Sequence, residues 1–383
     1  MVFGGVSYCS LRRALFRDQD SLQKKERNQF NPCLIQPIPA RHWFVLNTAS
    51  GNSPIRGPRR TGKNSRLMPR FSIVITCHNQ ARFIAEAVAS TFSQTFSDTE
   101  VVVVDDASTD DSVEVLERYG SGIRLVKLQE NVGAARARNV GAETAAGDYL
   151  VFLDGDDLLL PWALETYAHI LSHQRVPVII STLLWFDGQP PKMRAEEFPA
   201  EIKFVSYETV LRKDRPHRPS ASAIVIERQG FLDVHGWTNG MFPMEDFDIL
   251  LKVSSLGRAI QILAPPTTSY RVHADNSIHN VIPFVRELRG MIGKVNRCEY
   301  PGARLYPLHS RAFIGGPTLY WSRRALQHGF YAPALQLLAS GARMVLAALV
   351  CRCAVLLKGR QPVQTISIGP RRAVSGRTLQ EAR

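Results

Sequence analysis

The stretch from residue 71 to residue 182 alternates between short apolar runs and amphipathic segments. The runs FSIVIT, EVVVVDD, IRLVKL, YLVFLD and VPVIIST predict strands, and the Val-rich second run is too continuously apolar to have one face in water. Between them, segments such as ARFIAEAVASTF carry apolar residues at the spacing of one helical face. This order predicts an α/β fold with a Rossmann-like, mostly parallel sheet covered by helices.

Local signals mark the ends of the predicted helices. Residues 108–111 supply side-chain oxygen atoms that can cap the N-terminus of the second helix. Gly147 follows the third helix and is predicted to end it. Pro161 is predicted to open the fourth helix, near its first turn.

Polar residues follow three of the predicted strands, at the point where each strand ends. They occupy residues 76–79, 105–106 and 154–157. Because the carboxyl ends of parallel strands meet at one edge of a sheet, and ligands bind outside that edge, these clusters are expected to form one site.

The densest cluster is Asp154-Gly155-Asp156-Asp157. Its carboxylates repel one another unless something neutralises them. A divalent cation does so, and Mg²⁺ commonly uses one or two carboxylates together with substrate phosphates. The alternative is a solvated turn in which Asp157 caps the next helix, and these residues alone leave both open. Glycine-rich phosphate loops of the Walker A and G-x-G-x-x-G types are absent from the sequence.

The formal charge of +13 is unevenly distributed along the chain. Residues 1–68 carry 12 basic and 3 acidic residues, residues 69–290 carry 21 and 29, and residues 291–383 carry 14 and 2. We therefore predict a basic, disordered tail over residues 1–68 and a basic, helical extension over residues 291–383. Basic flanks around an acidic body favour peripheral contact with an anionic membrane over binding of nucleic acid.

The segment 339–360 is the most apolar part of the predicted extension, but Arg343 and Arg352 interrupt it. It predicts either a core helix or a helix in the membrane interface, and we favour the core helix. The N-terminus has no continuous apolar run typical of a signal peptide. The six cysteines lack the spacing of a zinc site and favour a reducing compartment.

Three blocks of sequence carry a resemblance to a known family. The blocks FSIVITCHNQARFIAEAVASTFSQTF, EVVVVDDASTDDS and ENVGAARARNVGAETAAGDYLVFLDGDD resemble, in order and spacing, the N-terminal half of family-two inverting glycosyltransferases of the GT-A fold. A later block, GWTNGMFPMEDFDILLKVSSLGRAIQILAPPTTSYRVHADNS, is similar to the acceptor-side segment of that family. The resemblance covers roughly residues 70–280. It implies a nucleotide-sugar-binding half at residues 69–185 and an acceptor-binding, catalytic-base half of the same domain at residues 186–290.

The resemblance also implies roles for individual residues. The residues expected to bind the nucleotide-sugar are Thr76, His78, Asn79, Asp105, Asp106, Arg138 and Asp154, with Asp106 foremost for uracil and ribose. Asp156 is expected to bind Mn²⁺ or Mg²⁺, supported by Asp154 and Asp157. His273 is either a further ligand of the metal or diphosphate or a structural histidine.

Glu245 and Asp246 match the catalytic position of the family. Asp246 is expected to act as the base that removes the acceptor proton, and Glu245 to orient the acceptor or Asp246. One in-line displacement on an α-linked donor gives a β-linked product. The Gln-x-x-Arg-Trp motif of processive members is absent, which favours transfer of a single sugar. Trp237 is expected either to line the acceptor cleft or to pack in the core.

The expected partners are a nucleotide-diphospho-sugar, by default a UDP-sugar, and a glycan or lipid-linked acceptor for cell-surface polysaccharide. Arg215 and Arg218 in RPHRPS would suit an anionic or lipid-diphosphate acceptor. The expected location is cytoplasmic, at the inner face of the plasma membrane. A catalytically idle sugar-nucleotide-binding protein is the main alternative, but Asp156 and Asp246 are both present. A sugar-nucleotide pyrophosphorylase would need a GxGxR loop after the first strand. The sequence at that position is TCHNQ, which does not match.

Overall fold

The computed structural model describes residues 70–190, 201–206, 210–211, 220–274, 276, 280–358 and 365–366. The predicted tail over residues 1–68 and the two arginines of RPHRPS, Arg215 and Arg218, lie outside the described residues.

The strands of the described residues are numbered in chain order. They are β1 (Phe71–Cys77), β2 (Thr99–Asp105), β3 (Arg124–Lys127), β4 (Tyr149–Asp154), β5 (Leu158–Leu159), β6 (Val178–Ile180), β7 (Leu183–Phe186), β8 (Glu201–Ser206), β9 (Ile224–Glu227), β10 (Arg258–Ala264), β11 (Thr268–Arg271) and β12 (Thr365–Ile366). The central sheet has the order β12-β8-β10-β6-β9-β4-β1-β2-β3, and β5, β11 and β7 form a second, small sheet. In the central sheet β8 and β9 run against the other strands, so the predicted mostly parallel sheet is confirmed.

Helices flank this sheet and continue beyond it. They are α1 (Ile84–Phe92), α2 (Ser112–Glu117), α3 (Ala134–Thr144), α4 (Ala163–His173), α5 (Arg228–Asp233), α6 (Glu245–Val253), α7 (Val281–Asn296), α8 (Pro301–Leu305), α9 (Pro307–Gln327) and α10 (Tyr331–Lys358). Successive residues of β1 face opposite sides of the sheet, as the two-residue period of a strand requires. Ile73 and Ile75 pack in one apolar cluster with α1 and α4, whereas Val74 packs in another with α6, α7 and α9.

The register of the parallel strands brings the predicted polar clusters to one edge. In the β1–β4 pair Thr76 lies opposite Asp154, and in the β1–β2 pair Cys77 lies opposite Asp105. The three strands therefore end level with one another, as expected from their positions in the sequence.

One predicted helix end differs from the structure, and another agrees with it. Helix α3 ends at Thr144, and Gly147 lies beyond it, where its N–H donates to Ser72 Oγ at 2.8 Å. A Cβ on Gly147 would meet main-chain atoms at the start of β1, so the glycine permits close packing and does not cap the helix. Helix α2 begins at Ser112, whose N–H donates to Asp110 Oδ1 at 3.0 Å.

The C-terminal helices share a core with the sheet. Helix α7 runs through the predicted boundary between residues 290 and 291, and its buried residues join the apolar cluster that contains Val74. Tyr300 Oη donates a hydrogen bond to Asp248 in α6. The extension is helical, as predicted, but it is packed through a common apolar core onto the half that we predicted to bind the acceptor.

Helix α10 contains the segment for which we favoured a core helix. One face fits that interpretation, because Leu337, Met344 and Cys351 are buried. The other face does not, because Leu346 is 62% and Leu357 86% exposed. By length and composition alone, its residues 331–357 could cross a membrane.

Candidate active site

Arg138 joins the donor side of the predicted site to the acceptor side. Its side chain projects from α3 and is buried, with Nη2 donating to Asp154 Oδ1 at 2.6 Å and Nη1 donating to Glu245 Oε1 at 3.3 Å. Burial lowers the pKa of Arg138, but the charges of Asp154 and Glu245 raise this pKa by more than burial lowers it. The guanidinium therefore remains a cation. A buried cation thus neutralises carboxylates from β4 and α6.

The indole ring of Trp237 packs against the guanidinium group of Arg138. The guanidinium carbon lies 5.0 Å from the centre of the indole ring, which is the geometry of a cation–π contact. The ring is buried and meets Phe152 edge-on at 5.4 Å between centroids. Of the two roles considered for Trp237, the structure supports core packing.

Glu245 and Asp246 open helix α6 beside Arg138. Burial raises the pKa of Glu245, and Arg138 lowers it by less. Burial raises the pKa of Asp246 well above its ordinary value, and the charge of Glu245 raises it further. A carboxylate with a raised pKa is a stronger proton acceptor once it is ionised, as a general base requires.

Three carboxylate oxygens of the site are buried without a hydrogen-bond partner among the described residues. They belong to Asp105 (Oδ1), Glu245 (Oε2) and Asp246 (Oδ1). Buried polar atoms are almost always paired in folded proteins, so these oxygens mark places where a ligand or water completes the bonding.

The predicted base-binding residues lie at the ends of β1 and β2. His78 and Asn79 are exposed, whereas Thr76 and Asp105 are buried. The main-chain N–H of Asn79 donates to Ser108 Oγ at 2.9 Å, which ties the loop after β1 to the loop after β2.

Asp106, which we predicted to bind uracil and ribose, also has partners within the protein. Its two carboxylate oxygens accept the N–H groups of Val132 and Gly133, each at 2.8 Å. The residue therefore fixes the loop before α3. Asp105, with one unpaired oxygen, has more capacity to accept a hydrogen bond from a nucleotide than Asp106.

The four residues predicted around a metal have different partners. Asp156 Oδ2 lies 2.9 Å from His273 Nε2, so these two converge. Asp154 is paired with Arg138.

Asp157 is buried and accepts hydrogen bonds from Ser222 Oγ at 2.7 Å and the Arg271 N–H at 3.1 Å. Burial raises the pKa of Asp157 well above its ordinary value, and the charges of Asp156 and Asp154 add to that shift. Asp157 is thus a structural support of the turn.

The pair of Asp156 and His273 fits a cation that takes its remaining ligands from a substrate. Among the described residues there is no group of three or more His, Cys, Asp or Glu that could hold an ion without help. Mg²⁺ and related cations typically use one or two carboxylates plus phosphate oxygens, so two protein ligands are compatible with such a site.

Arg271 is a site residue that the sequence analysis missed. Its Nε donates to the main-chain oxygen of Asp156 at 2.9 Å, and its Nη2 donates to Glu86 Oε2 at 2.6 Å. The guanidinium also lies over the ring of Phe83 at 4.9 Å. Arg271 therefore fixes the DGDD turn to α1, and only its place in the Tyr-Arg-x-His stretch could have drawn attention to it.

Ser222 and Tyr270 were also missed. Ser222 accepts the Asp154 N–H at 3.1 Å while donating to Asp157. Tyr270 stands opposite Trp185 across the β11–β7 pair, with ring centroids 4.5 Å apart. Burial raises the pKa of Tyr270, and the charges of Asp157 and its neighbouring carboxylates raise it further. These half-buried aromatic rings flank the carboxylate cluster.

Comparison with known proteins shows the family to which this part of the chain is similar. Residues 72–231 match the family described as glycosyl transferase family 2. An uncharacterized glycosyltransferase of Haemophilus influenzae is 29% identical over 210 residues, which cover 53% of this chain and 65% of that relative. The chain thus spans slightly less than two thirds of that relative's length.

Two further proteins are similar over longer shares of their own chains. The Escherichia coli UDP-Glc:alpha-D-GlcNAc-diphosphoundecaprenol beta-1,3-glucosyltransferase WfaP is 26% identical over 220 residues, covering 54% of this chain and 79% of WfaP. The crystal structure of Staphylococcus aureus TarS 1-349 in complex with UDP-GlcNAc has a TM-score of 0.52 and 16% identity, covering 76% of this chain and 92% of that one. At that identity the structural likeness concerns the fold, which is GT-A. Residues 72–231 of this chain therefore form a glycosyl transferase family 2 domain, the family to which the sequence motifs pointed.

Proposed function

We propose that this protein is a metal-dependent, inverting glycosyltransferase that moves one sugar from a nucleotide-diphospho-sugar to a hydroxyl group of a glycan or lipid-linked acceptor. The main support for this proposal is the buried Arg138, which binds both Asp154 and Glu245 at the carboxyl edge of the sheet. Asp246 lies beside this pair. The similarity to TarS, solved with UDP-GlcNAc, and to WfaP, named for UDP-Glc and a diphosphoundecaprenol-linked acceptor, supports a UDP-sugar and such an acceptor.

Asp246 is the proposed general base. Its unpaired Oδ1 can accept the proton of the acceptor hydroxyl as that oxygen attacks the anomeric carbon. Glu245, anchored by Arg138, keeps a second charge next to Asp246 and holds the start of α6 in position. One displacement from the side opposite the diphosphate inverts the anomeric centre, so a single base is sufficient.

Asp156 and His273 are the proposed protein ligands of Mn²⁺ or Mg²⁺. When bound, such a cation acts as a Lewis acid that stabilises the negative charge of the departing diphosphate. Arg271 and Asp157 hold the turn that carries Asp156, so the distance between Asp156 and His273 depends on both. Asp105 is the proposed acceptor for an N–H group of the nucleotide base.

The test combines UDP binding with turnover. Calorimetric titration of UDP, with and without Mn²⁺, should show metal-dependent binding in the wild type and its loss in Asp156→Ala. Asp246→Asn should retain UDP binding but lose about 10²- to 10⁴-fold in kcat with a UDP-sugar, since a positioned base contributes about that much. The control Asp233→Asn, an exposed aspartate in α5, should match the wild type in both measurements.

Two outcomes would contradict the proposal. If UDP binds equally strongly without metal and to Asp156→Ala, the proposed metal dependence is contradicted. Failure of UDP, GDP and dTDP to bind under any condition would favour the catalytically idle protein considered above.

A further inference from the structure

The outer face of α10 carries an apolar row that no other described part of the protein covers. We call this row the α10 stripe, formed by Leu335, Ala342, Leu346, Val350, Cys353 and Leu357. All six are exposed, and their spacing is that of one helical face. A helix on the surface of a soluble protein normally presents polar residues to water, so the α10 stripe is the type of surface that has a partner.

The opposite face of α10 is fixed to the protein. A Cβ on Gly341 would lie 2.6 Å from Thr318 Cγ2, and a Cβ on Gly315 would meet the main-chain oxygen of Met344. Helices α9 and α10 therefore approach each other closely. To cross a bilayer, α10 would have to give up this packing, so its place is along a membrane surface and not through it.

The charge of the surrounding chain identifies the partner. Between Glu299 and Glu381 the sequence has eleven Lys and Arg residues and no Asp or Glu. On α10 itself, Arg343 and Arg352 are exposed beside the stripe. A second copy of the chain would bring like charges together across a two-fold contact, whereas an anionic phospholipid surface neutralises them.

A cavity lined on its α10 side by Pro333, Gln336 and Ser340 offers a place for phosphate groups. It has a volume of about 820 Å³ and lies between α7 and α10. Arg286 and Arg289 line it together with the apolar side chains of Ile282 and Val285. Two arginines one helical turn apart above an apolar wall suit the headgroup and upper acyl chains of a phospholipid.

We propose that α10 lies in the interface of an anionic phospholipid bilayer. The α10 stripe enters the acyl-chain region, and Arg286 and Arg289 contact headgroup phosphates. This attachment is separate from the sugar-transfer chemistry and holds the protein at the membrane without requiring α10 to span it.

The test is sedimentation of the full-length protein with vesicles, without donor or acceptor. Binding to vesicles of phosphatidylcholine with one third phosphatidylglycerol should be at least tenfold tighter than binding to pure phosphatidylcholine. The triple variant Leu346→Gln, Val350→Gln, Leu357→Gln should bind the anionic vesicles at least tenfold more weakly. Leu305→Gln, at an exposed leucine of α8, is the matched control and should bind as the wild type does.

A double variant tests the role of the cavity. Arg286→Gln with Arg289→Gln should weaken binding to anionic vesicles about tenfold and leave binding to pure phosphatidylcholine unchanged. Circular dichroism and melting of each variant show that it is folded. Failure of the wild type to bind anionic vesicles, or unchanged binding by the folded triple variant, overturns the proposal. A wild-type dimer that the triple variant converts to monomer in sedimentation equilibrium would assign the stripe to a second copy and also overturns it.

Discussion

Arg138 and Arg271 each hold two distant segments of the site in place. Arg138 binds carboxylates of β4 and α6, and Arg271 binds the DGDD turn and α1. Both side chains are almost completely buried, so their positive charge is poorly screened by water.

Asp246 should give the reaction a pH dependence that starts above the ordinary range of an aspartate. Because its pKa in the folded protein is raised, the carboxyl is protonated below that value and the base is lost as the pH falls through it. We expect kcat/KM to decline on the acidic side well above pH 4, the ordinary aspartate pKa being about 3.9.

The variant Glu245→Gln provides the control for this assignment. It removes a like charge that raises the pKa of Asp246, so the acidic decline should move to lower pH. The measurement is the pH profile of kcat/KM for both proteins. A decline near pH 4 in the wild type, or an unshifted profile in the variant, would contradict the assignment.

The turn between β4 and β5 is the element that shapes the donor side. Its Gly155 N–H donates to the main-chain oxygen of Thr76 at 3.0 Å, so it packs directly on the end of β1. A Cβ at this position would lie 2.9 Å from the same oxygen and would also meet Gln80 Oε1. Glycine is needed between the carboxylates because of this close approach.

Gly155→Ala should destabilise the protein by about 1–3 kcal/mol, the usual cost of an overpacked site. The measurement is equilibrium unfolding in urea. Gly316→Ala in α9 is the matched control, because its Cβ would meet nothing within 4 Å, and it should be neutral or slightly stabilising. Equal stability of the two variants would show that the turn tolerates the added atom.

The whole described domain depends on a core that extends from the sheet into the C-terminal helices. Met291, Phe313 and Ile314 belong to the same apolar cluster as Val74 and Phe152. The apolar area buried by α7, α9 and α10 therefore stabilises the sheet as well as the helices. The proposed catalytic site and the proposed membrane-contacting helix therefore lie in one folding unit.

A chain that ends at residue 290 should consequently fail to unfold as a single cooperative unit. Each large apolar side chain contributes about 1.5–3 kcal/mol when buried, and a domain has only about 5–15 kcal/mol of net stability. Thermal melting followed by circular dichroism is the measurement. A chain ending at residue 366 keeps every described element and should melt like the full-length protein. A cooperative melt of the 290-residue chain near the full-length temperature would refute the shared core.

The sequence alone determined the sheet and the edge at which the site lies. Thr76, Asp105 and Asp154 each lie at the last or next-to-last position of a strand of similar length. Parallel pairing places such ends side by side, so their convergence was predictable. The order of the motifs also predicted the family, through Asp156 and Asp246 in their expected blocks.

Only the tertiary structure decided which polar side chains of the site pair with one another. Arg138 and Glu245 are 107 residues apart, Asp156 and His273 are 117 apart, and no local spacing encodes such pairs. The same holds for α10: its sequence is apolar around most of the helix, and packing against α9 decides which face is covered. Local periodicity specifies elements and their ends, whereas pairing between distant elements depends on the free energy of the whole packed core.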